Sequence, residues 1–144
     1  NAALRELLKR LCGIMGQDIE SALIAAVTAR EKFGAFTMGH GIAFPHARTE
    51  RVGRVWVVLG THPKGVEFSP GPDGAARVVV LFVIPKAHSA TYLQTLAAFS
   101  SLFKNPNHVE EVATAGSAEE IWHYIDGTGV PCLIPDRGDT VALA

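Results

Sequence analysis

The residues best equipped for chemistry lie in one stretch, Gly39-His40-Gly41-Ile42-Ala43-Phe44-Pro45-His46-Ala47-Arg48. Pro45 fixes its own φ and pushes Phe44 into an extended conformation. Gly39 and Gly41 permit tight turns and let main-chain N–H groups approach a ligand. A histidine held after such a proline can present one ring nitrogen as a nucleophile or a ligand. The plain alternative is a surface loop that carries a histidine. A His40–His46 metal pair lacks a carboxylate or thiolate partner nearby, so a metal centre is not expected. His62, His108 and His123 fall in turn or helix-surface contexts and are expected to be exposed.

Helices and strands must position that stretch. Leu4, Leu7, Leu8 and Leu11 have helical spacing, and Gly13 and Gly16 end that helix. Asp18 can cap a second helix with Ile19, Ala22, Leu23, Ala26 and Val27 as its buried stripe. Residues 39–46 read as a loop. Val55 to Leu59 reads as a short strand. The run from Pro70 to Gly74 is a strong turn signal. Val78 to Ile84 is apolar throughout, as a strand covered on both faces must be. A third helix spans about Ser89 to Lys104, with Tyr92, Leu96, Phe99 and Phe103 on one stripe. Asn107 with Glu110, and Ser117 with Glu120, have capping-box spacing and predict two more helices. The expected architecture is α/β, a mixed sheet flanked by helices on both faces.

The 144 residues suit one domain with a substantial core. A content of 48% hydrophobic and 19% charged residues indicates a globular chain. The formal net charge of −1 argues against a general nucleic-acid binder. Cys12 and Cys132 lack C-x-x-C spacing, and a reducing cytoplasm is their simplest setting. Cys132 is expected to be a structural cysteine, since Leu133-Ile134-Pro135 offers few free amides to cradle a phosphate. No apolar stretch reaches membrane-spanning length, so no direct membrane insertion is expected. No signal peptide is visible, and the start at Asn1 suits an excised domain.

Along most of its length the chain resembles the enzyme IIA domains of the bacterial phosphotransferase system, in the fructose–mannitol and nitrogen-regulatory (type 2) branch. Ala29-Arg30-Glu31 resembles the Arg-Glu pair ending the family's second helix. Thr37 through His46 resembles its glycine-rich signature closing on Ala-x-Pro-His. Gly65-Val66-Glu67-Phe68 with Asp73-Gly74 resembles the turn before its central strand. Tyr92-Leu93-x-x-Leu96 falls on its His-Leu-x-x-Leu helix start, and Ser117 to Ile125 on its final helix. The resemblance implies a domain over 1–126, lacking the strand that precedes the first helix in the family. It leaves 127–144 as a tail in which Val130 to Ile134 could supply an edge strand.

The resemblance also implies a function. His46 would accept a phosphoryl group from HPr or an HPr-like carrier. It would pass the group to a IIB domain, or hold it as a regulatory signal toward a target protein. No cofactor or metal is implied, because the donor is already activated. Arg30 would contact the phosphoryl oxygens, with Thr37, Gly39, His40, Gly41, His88 and Tyr92 as supporting or phosphate-binding positions. His46 is expected on the floor of a shallow, partly apolar depression rimmed by Arg30 and 88–92. Two departures from the family stand out. His40 replaces an Asn or small polar residue, and Tyr92 replaces the partner histidine. A phenol donates a hydrogen bond but carries no positive charge. The alternative reading is therefore a phosphotransfer-deficient binding or regulatory module of the same fold, or the cytoplasmic part of a transporter.

Overall fold

The apolar run Val78–Ile84 forms the middle of a central strand, Ala75–Pro85, and all seven of its side chains are fully enclosed. Alternate residues point to opposite faces. Val79, Leu81 and Val83 enter one apolar cluster, and Val78, Val80, Phe82 and Ile84 enter the other. Two helical layers therefore share one strand, which is why the run shows no polar alternation.

The computed structural model describes residues 2–16, 18–31, 40–67, 74–87, 89–130 and 141–142, with backbone alone at 28–31, 89, 141 and 142. The element order is α1 (Ala2–Met15), α2 (Glu20–Glu31), β1 (Ile42–Ala43), β2 (His46–Thr49), β3 (Trp56–Glu67), β4 (Ala75–Pro85), α3 (Ser89–Leu102), α4 (Pro106–Ala113), α5 (Ala118–Gly127) and β5 (Val141–Ala142). β1 and β2 both pair in parallel with one side of β4, β3 pairs antiparallel with its other side, and β5 pairs in parallel with β3. The sheet is mixed, with α1 and α2 packed on one face and α3, α4 and α5 on the other. This is the α/β architecture that the sequence predicts.

The leucine stripe of α1 is buried as its spacing requires, with Leu7 and Leu8 fully enclosed. α2 begins one residue later than an Asp18 cap would place it. Ser117 caps α5 by accepting from the Glu120 amide at 3.1 Å. The Glu120 carboxylate turns back to the Gly116 amide at 2.8 Å, one residue upstream of the usual box partner. At α4 the cap is Asn105, not Asn107: the Asn105 side chain accepts from the Asn107 amide at 2.9 Å, and Pro106 fills the first turn. Proline suits that position because its missing N–H would have no helical partner there.

Two stretches differ from expectation. Residues 42–43 and 46–49 form two short strands, the first of them and the start of the second inside the stretch 39–46 expected to be a loop. Pro45 has no N–H, so the ladder lapses at Phe44-Pro45; the Pro45 carbonyl still accepts from the Phe82 amide at 3.0 Å. β3 runs to Glu67, well past Leu59, by absorbing a register shift between Thr61 and Val66. Pro63 and Gly65 (φ 92°) lie in that irregular part, and both disguise a strand in sequence. Of the expected 130–134 strand, Val130 shows no strand geometry and packs on the second cluster, while 131–134 lie outside the described residues. The outer edge of β3 is occupied by Val141–Ala142, paired with Gly60 and Thr61. Among the described residues no strand precedes α1.

Candidate functional site

The alternation that buries Ala43 and Ala47 toward α1 and α2 sends Ile42, Phe44 and His46 toward α3. His46 opens β2 in register with Phe82. Its ring faces Tyr92 in the first turn of α3, with centroids 5.8 Å apart and planes at 40°. Tyr92 is buried and stands edge-on to Phe82 at 5.5 Å; Phe82 in turn touches Phe44 at 6.2 Å and Phe99 at 6.0 Å. His46 thus ends an aromatic row that runs into the core. It is half-buried, with Nδ1 shielded from solvent. With Nδ1 shielded, a reacting His46 imidazole would do so through Nε2.

The turn before β1 has an unusual backbone. His40 (φ 57°) and Gly41 (φ 80°) are both left-handed. Glycine adopts this freely, while a histidine does so uncommonly. The Gly41 carbonyl accepts from two successive amides of β4, Arg77 at 2.6 Å and Val78 at 3.0 Å. Arg77 lies across this turn. Sequence reasoning did not single it out, because its partners are distant in the chain.

A depression of about 160 Å³ opens beside this turn, lined by His40, Ile42, Phe44, Ser100, Phe103 and Lys104. It is mostly apolar, and His46 is not among its lining residues. The strand alternation places His46 one step further along, against Tyr92 rather than against Phe103.

Of the other expected site residues, Arg30 stands in the last turn of α2, the helix packed against β2; its side chain is not described. Thr37, Gly39 and His88 lie outside the described residues, as does Cys132. Gly41 and exposed His40 form the turn above. His123 is exposed as expected, but His62 and His108 are half-buried. His62 lies within β3, where its Nδ1 accepts from the Lys64 amide at 3.1 Å. His108 lies in α4, with Nδ1 2.6 Å from the Leu102 carbonyl at the end of α3, so Nδ1 carries the proton. Among the described residues no three His, Cys, Asp or Glu side chains gather as a metal site. No helix among them is long and apolar enough to cross a membrane.

Comparison with known proteins identifies the family and the fold. The family model for the phosphoenolpyruvate-dependent sugar phosphotransferase system, EIIA 2, matches residues 2–127. A nitrogen regulatory protein of Bradyrhizobium diazoefficiens is 23% identical over 123 residues, covering 85% of this chain and 80% of that one. The crystal structure of IIA mannitol from Escherichia coli superposes with a TM-score of 0.70 at 25% identity, over 85% of this chain and 86% of that one. A similar match, with a TM-score of 0.70 and 25% identity over 87% and 85% of the two chains, is to the Escherichia coli complex of enzyme IIA mannitol with phosphorylated enzyme IIB mannitol. With the family model spanning nearly the whole chain and the same fold in a solved relative, the protein belongs to the EIIA 2 family of the phosphoenolpyruvate-dependent sugar phosphotransferase system.

Proposed function

We propose that this protein is a cytoplasmic phosphocarrier in which His46 takes a phosphoryl group from the phosphohistidine of HPr or an HPr-like protein. The observation that carries this reading is the His46 ring, half-buried against Tyr92, with Nδ1 shielded. The Nε2 lone pair attacks phosphorus, the nitrogen–phosphorus bond of the donor breaks, and the donor imidazole leaves. The chemistry needs positioning and stabilisation of phosphoryl charge. Arg30, at the end of the helix packed on β2, is the guanidinium assigned to the phosphoryl oxygens, with amides of the His40–Gly41 turn as further donors. The group then passes to a IIB domain, the kind of partner present in the mannitol complex of the relative, or serves as a signal to a regulatory target.

Tyr92 favours a second reading, a docking or regulatory module with little transfer. A phenol facing His46 supplies a hydrogen-bond donor but no cation beside the phosphoryl group. Incubation with HPr, phosphorylated by phosphoenolpyruvate and enzyme I, separates the two. Uptake by the wild type and none by His46→Ala supports the carrier. A wild type that binds HPr or IIB and takes no phosphate supports the docking module.

A further inference from the structure

Arg77 makes a set of contacts that the phosphocarrier reading does not use. Its stem lies between two left-handed glycines: Cγ is 3.5 Å from where a Gly41 Cβ would stand and 3.6 Å from the equivalent point at Gly65. Its own amide holds the Gly41 carbonyl at 2.6 Å. Its Nε donates to the Pro63 carbonyl in the irregular part of β3 at 2.8 Å, and its Nη1 pairs with Glu110 on α4. One side chain therefore ties the turn before β1 to β3 and to α4.

We propose that Arg77 is a positioning residue that fixes the His40–Gly41 turn and, through it, the strand segment carrying His46. β1 is two residues long, and its ladder lapses at Phe44-Pro45, so it has little intrinsic hold on β4. The Gly41 carbonyl is the first anchor of that segment, and the stem of Arg77 closes over it. The guanidinium keeps the stem there by bonding both Pro63 and Glu110. Only four residues separate Gly41 from His46, so freedom at the turn reaches the imidazole. The proposal rests on the His46 reading only for its effect on transfer.

The test uses Arg77→Met, which keeps the stem and removes the guanidinium, and Arg77→Lys, which restores a donor. Three readouts apply to the whole chain: amide exchange, the imidazole nitrogen shifts of His46, and phosphorylation by potassium phosphoramidate. In the last, Nε2 of His46 attacks phosphorus, the donor's phosphorus–nitrogen bond breaks, and ammonia leaves. This donor needs no protein docking surface, so the readout isolates positioning. In Arg77→Met, exchange at 41–43 quickens about tenfold while α1 and α5 are unchanged. The His46 shifts move, and the rate constant for phosphorylation of His46 at saturating phosphoramidate falls by about ten- to a hundredfold, with the half-saturating concentration unchanged. Arg77→Lys recovers most of each change, and Glu110→Gln shows a weaker form of the Met phenotype. Unchanged exchange and unchanged His46 shifts in Arg77→Met overturn the proposal. So does quickening spread equally over the sheet, which would make Arg77 a general stabiliser. A wild type inert to both phosphoramidate and phosphorylated HPr, with the exchange and shift changes still confined to 41–46, overturns the carrier reading and supports the positioning role.

Discussion

His46 and Tyr92 face each other at 5.8 Å across the seam between β2 and α3, and Tyr92 is the more deeply buried of the two. The residue opposite the proposed phosphate acceptor is thus a neutral phenol held in place by Phe82. Tyr92→His puts an imidazole at that position. Its charge beside the phosphoryl group is expected to raise the rate of His46 phosphorylation about ten- to a thousandfold. Stopped incorporation assays with phosphorylated HPr read this directly. An unchanged rate in Tyr92→His, with a sharp loss in His40→Ala or His88→Ala, would move the partner role to one of those histidines.

The Arg77–Glu110 pair has a pH signature. Hydrogen bonding from the Arg77 guanidinium, and then its charge, hold the Glu110 carboxyl below its ordinary value of 4.5. A depressed folded pKa contributes stability above the unfolded value, and that contribution is lost as pH falls through the folded value. The wild type should therefore resist urea slightly better than Glu110→Gln at pH 7, and the two should converge below pH 4.5. The gap is small because Glu110 is largely exposed. A gap that widens in acid contradicts the assignment.

Phe82 has no exposed surface and joins Tyr92, Phe44 and Phe99 in one aromatic row. Phe82→Ala should cost about 3–5 kcal/mol, read from denaturant unfolding. Phe82→Leu should cost less, yet free the Tyr92 ring. Nuclear Overhauser contacts between the His46 and Tyr92 rings should then weaken. Retained contacts would show that α3 holds Tyr92 without help from the strand.

Cys12 is buried on α1, and burial pushes its thiol pKa up, with the carboxylates of Glu20 and Asp18 acting in the same direction. Thiolate is the reactive form, so alkylation of Cys12 by iodoacetamide should be slow in the folded protein and fast in urea. Peptide mapping after timed alkylation checks this. Rapid native labelling at Cys12 would mean that α1 opens readily from the sheet.

Long, regular patterns carried the fold: the leucine stripe of α1, the two-faced run of β4 and the Ser117 cap of α5 are all legible in residue order. What was illegible depends on partners far away in the chain. Residues 42–49 become strands because β4 offers them a parallel edge, while Pro45 and Gly41 read locally as a loop. β3 continues past Pro63 because its irregular stretch is tied to Arg77, 14 residues away. The Arg77–Glu110 contact joins positions 33 residues apart and leaves no periodic trace. The facing of His46 and Tyr92 was anticipated only through the family resemblance.

The phosphocarrier role stands or falls with phosphorylation of His46 at Nε2. The most direct measurement is nuclear magnetic resonance of the protein labelled with nitrogen-15 in histidine, after incubation with HPr, enzyme I and phosphoenolpyruvate. One new phosphorus signal is expected, coupled to Nε2 of His46, that disappears in acid and is absent from His46→Ala. A phosphorus signal coupled to any other histidine, or none while HPr itself is fully phosphorylated, would contradict it.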